Sequence, residues 1–167
     1  MVLPCRFTFE HYFGTNEFSV TYPAGGLQAQ HQGDSEVDNE VTILVVEDDQ
    51  LIQALVEEAL SDGGFESSIV ASGEEAITLL NGDSKYRAVV TDINLIGRLD
   101  GWEVARAARE DDPAMPVIYM TGTNGEEWAS KGVPNSVLLA KPFAPAQLVT
   151  AIANLLNSVT LPAAPTE

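Results

Sequence analysis

From Val41 onward, short apolar runs alternate with amphipathic stretches, and the alternation predicts five strand–helix units. VTILVV at 41–46 is continuous and β-branched, the pattern of a strand buried on both faces. Leu51, Ile52, Leu55, Val56, Ala59 and Leu60 then recur at helical spacing, and Gly63-Gly64 stops that helix. A weaker strand is expected at 66–71, followed by a capping box of Ser72 and Glu75 ahead of Ala76, Ile77, Leu79 and Leu80. RAVVT at 87–91 reads as the third strand, and 100–110 as the third helix, ended by Asp111-Asp112-Pro113. PVIYM at 116–120 is the fourth strand. The segment 124–132 is a poor helix, interrupted by glycine and followed by Pro134. SVLLA at 136–140 is the fifth strand, and 145–157 a final helix with Pro145 near its first turn.

Such a succession implies an α/β fold, a parallel sheet covered by helices on both faces. With right-handed crossovers, the best candidate is a flavodoxin-like (βα)5 doubly wound sheet of strand order 2-1-3-4-5. The expected domain is 41–157, with a flexible tail at 158–167. Residues 1–40 are a different material, an arm and linker. Six of the twelve aromatics fall in the first 22 residues, and 6–22 reads as a hairpin about Gly14-Thr15-Asn16. Two strands alone are marginally stable, so this arm is also where a homodimer would form.

Charge narrows the partners. Eight Lys+Arg face 25 Asp+Glu, for a formal net charge of −17. Phosphate backbones and anionic membranes both need clustered basic side chains, so neither nucleic acid nor membrane is expected as a partner. No secretory signal is visible, and Cys5 has no cysteine to pair with, so the expected location is cytoplasmic.

In this topology chemistry belongs beyond the carboxyl ends of the strands. There the chain places Glu47-Asp48-Asp49 after the first strand, Asp92 and then Asn94 after the third, Thr121-Gly122 after the fourth, and Lys141-Pro142-Phe143 after the fifth. Carboxylates converging from neighbouring strands repel unless a cation intervenes, and oxygen-only ligands favour Mg²⁺ over Zn²⁺. Lys141 adds a positive charge and Thr121 a hydroxyl. This is a setting for a tetrahedral oxyanion with a carboxylate as nucleophile, an acyl-phosphate site. Asp49 and Asp100 read as helix N-caps rather than ligands.

ILVVEDD, VVTDIN, LDG, YMTG and LLAKPF, in this order and spacing, resemble the receiver domain of two-component response regulators over 41–157. The resemblance implies that Asp92 is the phosphoacceptor. It makes Asp48 a direct Mg²⁺ ligand, has Glu47 acting mainly through water, and has Asn94 supplying its backbone carbonyl. Thr121 and Lys141 would bind phosphoryl oxygens, and the Lys141–Pro142 bond would be cis. Three departures stand out. Ile96-Gly97 replaces Pro-Gly, with Asp100-Gly101 one residue late. Leu138 occupies the position of the usual switch aromatic, and the fourth helix is broken by glycine. Tyr119 on the neighbouring strand is the candidate to take over switching.

The expectation is a stand-alone receiver, since only about ten residues follow the last helix. A sensor histidine kinase or histidine phosphotransfer protein would phosphorylate it, and output would pass through contact with an unknown protein target, or the protein would drain phosphate from a shared kinase. Gly122 leaves room for the phosphoryl group and for water, allowing slow self-hydrolysis. The competing reading is a pseudo-receiver, a binding scaffold that is never phosphorylated.

Overall fold

The structure, a computed structural model, describes residues 41–123 and 125–160. The hairpin and linker expected at 1–40 lie outside the described residues. In chain order the elements are β1 (Thr42–Val46), α1 (Gln50–Asp62), β2 (Glu66–Val70), α2 (Gly73–Leu80), β3 (Ala88–Asp92), α3 (Gly101–Asp111), β4 (Val117–Thr121), α4 (Trp128–Lys131), β5 (Val137–Ala140) and α5 (Pro145–Thr160). All strand pairs are parallel. The sheet order is β2-β1-β3-β4-β5, as the alternation of patterns predicts.

Alternation within the strands divides the core in two. On one face Leu44, Val46, Val89, Val117 and Tyr119 pack with Ala76 of α2 and with Trp102, Val104, Ala105 and Ala108 of α3. On the other, Ile43, Val45, Val90, Ile118 and Met120 meet Val56 and Leu60 of α1 and Leu148 and Ile152 of α5. Burying each large apolar side chain contributes about 1.5–3 kcal/mol, and these two layers supply most of the driving force.

The helix starts follow their caps. Asp49 Oδ1 accepts from the Leu51 and Ile52 amides at 2.8 and 3.4 Å. Asp100 and Glu103 form a complete capping box at α3. At α2 the expected box is shifted. Ser72 Oγ accepts from Glu75 N at 3.3 Å, but the Glu75 carboxylate reaches back to Ala71 N at 3.2 Å instead of to the cap residue. α5 continues to Thr160, past the boundary at 157 expected from the sequence. Its apolar positions extend to Leu155 and Leu156, which still touch the core, and no helix-stopping residue intervenes before Pro162.

The weak fourth helix is weak here also, a 3₁₀ turn (Gly125–Glu127) leading into the four residues of α4. Side chains hold the segment after it instead. Arg109 of α3 donates to the Pro113 and Pro134 carbonyls at 2.8 and 2.9 Å. Trp128 Nε1 donates to Ser136 Oγ at 3.0 Å, and Val133 N donates to Tyr119 Oη at 3.3 Å. Among the described residues no helix is long and apolar enough to cross a membrane.

Candidate functional site

Strand register brings the functional residues to one edge. Val46 pairs with Thr91, so Glu47 stands level with Asp92. Thr121 pairs with Ala140, so Lys141 emerges beside Gly122. The same parallel pairing that aligns the strands therefore gathers their carboxyl-terminal residues, whatever their distance in sequence.

Lys141 Nζ lies 2.6 Å from Glu47 Oε2 and 2.7 Å from Asp92 Oδ2, bridging β1 and β3 from β5. Glu47 is 1% exposed, and its second oxygen accepts from Asp49 N at 3.2 Å. The Gln53 side-chain amide caps its carbonyl. Asp92 Oδ1 accepts from Asn94 N at 3.1 Å, so hydrogen bonds hold both carboxylate oxygens of the buried Asp92. Burial pushes the Glu47 carboxyl above its ordinary range, against the pull of Lys141. Burial alone would lower the Lys141 ammonium; its hydrogen bonds to Asp92 and Glu47 outweigh that and hold it above its ordinary value.

Carboxylate oxygens of Glu47, Asp48 and Asp92 lie within 4.8 Å of one another. Three acids against the single Lys141 ammonium leave a net negative pocket of hard oxygen donors. That donor set fits a divalent cation such as Mg²⁺ and offers nothing to attract a thiophilic metal.

The sequence-predicted residues fall as follows. Glu47, Asp48, Asp92 and Lys141 converge directly. Thr121, nearly fully buried, ends β4 at the same edge; its Oγ1 accepts from Thr123 N at 3.2 Å, and its carbonyl accepts from Lys141 N at 2.7 Å. Asn94 touches Asp92 through its backbone N–H. The Lys141–Pro142 bond is cis. A Cβ added at Gly122 would meet nothing within 4 Å, so space is open above the end of β4. The direct Glu47–Lys141 ion pair is not legible in the sequence, because no spacing reports which carboxylate a lysine 94 residues away will choose.

Leu138 is paired in register with Tyr119, and both pack in the same core cluster. Tyr119 is wholly buried, with its ring centroid 4.6 Å from that of Trp102. Gly101 is a further position that the site requires. A Cβ there would fall on the Asp92 carbonyl oxygen, so only glycine lets the start of α3 close on the end of β3. The Asp100-Gly101 motif was the signal for it.

Comparison with known proteins agrees with this geometry. The family of response regulator receiver domains matches residues 43–153. Response regulator MprA of Mycolicibacterium vanbaalenii is 33% identical over 122 residues, covering 72% of this chain and 52% of its own. The probable transcriptional regulator ycf29 of Porphyra purpurea is 32% identical over 68% of this chain and 56% of its own. The chain thus spans about half the length of the curated relatives it matches. Among solved structures, a response regulator receiver protein from Sinorhizobium medicae shares 46% identity at a TM-score of 0.71, over 72% of this chain and 98% of that one. The receiver domain of a Pseudomonas aeruginosa sensor histidine kinase, with a magnesium ion coordinated in its active-site cleft, shares 28% identity at a TM-score of 0.63, over 71% of this chain and 98% of that one. With its fold, its acidic edge and these relatives in agreement, the chain belongs to the response regulator receiver domain family.

Proposed function

We propose that the protein accepts a phosphoryl group on Asp92 from the phosphohistidine of a sensor kinase or a phosphotransfer protein. The observation that carries the reading is the Lys141 bridge to Asp92 and Glu47, set among three carboxylates within 4.8 Å of one another. In the transfer the histidine P–N bond breaks, an Asp92 oxygen forms the new P–O bond, and the imidazole leaves with the electron pair. Mg²⁺ would be held by Asp48, Asp92 and the Asn94 backbone carbonyl, with Glu47 acting through water; when bound it neutralises the phosphoryl charge. Lys141 orients Asp92 through its hydrogen bond to Oδ2 and then meets a phosphoryl oxygen, which the Thr121 hydroxyl also contacts. The open space over Gly122 admits the group and a hydrolytic water.

Output through protein contact, or drainage of phosphate from a shared kinase, is the reading that suits the acidic chain, whose net charge of −17 opposes nucleic acid. Incubation with a small-molecule phosphodonor and Mg²⁺ tests the assignment by intact mass. The wild-type protein should gain one phosphoryl group and Asp92→Asn none. Full labelling of Asp92→Asn would overturn the phosphoacceptor assignment, and an unlabelled wild type would favour a binding scaffold on the same fold.

A further inference from the structure

The β3–α3 loop, residues 93–100, carries Asn94 next to the acceptor, and its outer residues Ile96, Gly97 and Arg98 are exposed. Exposed loops with few buried contacts open easily. This one is instead tied down by the first turn of α2, an element outside the acidic site. Glu74 Oε1 accepts from the Arg98 backbone N–H at 2.9 Å, across 24 residues of sequence. Gly97 has φ +136°, and a Cβ there would lie 2.8 Å from Glu74 Oε2, so the loop backbone rests directly on the carboxylate. A Cβ on the neighbouring Gly73 would lie 2.8 Å from both the Leu99 Cβ and its carbonyl oxygen. The loop is pinned at its two ends as well, by Asn94 N on Asp92 Oδ1 at 3.1 Å and Gly101 N on the Ile93 carbonyl at 3.1 Å.

We propose that Glu74 is a positioning residue for the phosphorylation site: its carboxylate straps the Arg98 amide and so fixes the loop that presents the Asn94 backbone beside Asp92. The strap is the backbone hydrogen bond. The Arg98 side chain is 91% exposed and its Nε lies 3.7 Å from Glu74 Oε1, so the ion pair adds little. This rests on the reading of Asp92 as phosphoacceptor and of Asn94 as a metal-side residue.

Three variants of the full chain separate the possibilities. Glu74→Ala removes the acceptor, Glu74→Gln keeps an oxygen acceptor without the charge, and Arg98→Ala keeps the backbone N–H without the guanidinium. Mg²⁺ affinity is read by calorimetry with the metal alone, and loop order by hydrogen exchange at the 95–98 amides. Glu74→Ala should weaken Mg²⁺ binding roughly tenfold, the low end of what loss of an outer supporting contact costs a metal site, and should speed exchange across the loop. Glu74→Gln and Arg98→Ala should both stay near wild type. Unchanged Mg²⁺ affinity in Glu74→Ala would overturn the proposal, as would an equal loss in Glu74→Gln or Arg98→Ala, which would trace the effect to charge. A wild-type protein that binds no Mg²⁺ would defeat the site reading itself and the strap's role with it, and this is decided before any variant is compared.

Discussion

Lys141 allows Glu47 to sit at 1% exposure beside two other acids. Its side chain, 17% exposed, carries an ammonium that faces a carboxylate on each of two strands, and taking it away leaves those charges without their partner. Lys141→Met should therefore lower stability at neutral pH by about 3 kcal/mol, the scale for breaking a buried pair from one side. Added Mg²⁺ should restore part of the loss, which urea unfolding with and without the metal would show. A methionine variant as stable as wild type would mean that Glu47 simply takes up a proton. Asp92 depends less on any one partner, since Asn94 N and Lys141 each hold one of its oxygens.

At the scale of elements, what α4 lacks in length is made up by side chains from its neighbours. Val133 N finds its acceptor on a tyrosine of β4, 14 residues earlier, and the Tyr119 ring packs in turn, tilted by 50°, against Trp102 of α3. Tyr119→Phe would leave that buried N–H without its acceptor at a cost of about 1–2 kcal/mol. Its amide should exchange faster while labelling of Asp92 continues, and hydrogen exchange by residue would check both. α2 contributes through Glu74, whose carboxyl is held below its ordinary value, first by the Arg98 backbone N–H. A lowered folded pKa gives stability that is present above the unfolded value of 4.5 and is lost as pH falls through the folded one. The stability difference between wild type and Glu74→Ala should accordingly be constant from neutral pH down to about that value and shrink below it, as denaturant titrations at several pH values would report. A difference independent of pH would mean that the protonated carboxyl holds the Arg98 amide as well as the ionised one does.

For the molecule as a whole, the acidic edge is a local excess of charge on an already acidic chain of net charge −17. A ligand that binds only the folded state stabilises it by mass action, about 2.7 kcal/mol at a hundred times its dissociation constant. Mg²⁺ should thus raise the thermal midpoint, and chelation should reverse the rise. Asp48→Asn should raise the midpoint of the metal-free protein, because one of three mutually repelling carboxylates is gone, and should abolish the Mg²⁺ response. A variant that still responds to Mg²⁺ would place the metal on other ligands. The two-layered core predicts that Asp48→Asn leaves the fold intact, since Asp48 belongs to neither apolar cluster.

Periodicity, caps and turn residues determine the five units, and the handedness of the crossovers makes 2-1-3-4-5 the best candidate for the strand order and so points to the edge where chemistry collects. Val41 to Val46 can be read as a doubly buried strand because burial on both faces demands an unbroken apolar run, and Asp49 and Asp100 as caps because orphan amides need a local acceptor. The resemblance then singled out Glu47, Asp48, Asp92, Thr121 and Lys141. Tertiary structure alone decided which of them touch. Lys141 choosing Glu47 as well as Asp92, Glu74 reaching Arg98, and Tyr119 receiving Val133 are contacts across 94, 24 and 14 residues. The hydrophobic pattern records which face of an element is buried. It carries no record of the register and approach that set a hydrogen bond between side chains of different elements, and those exist only once both layers have packed.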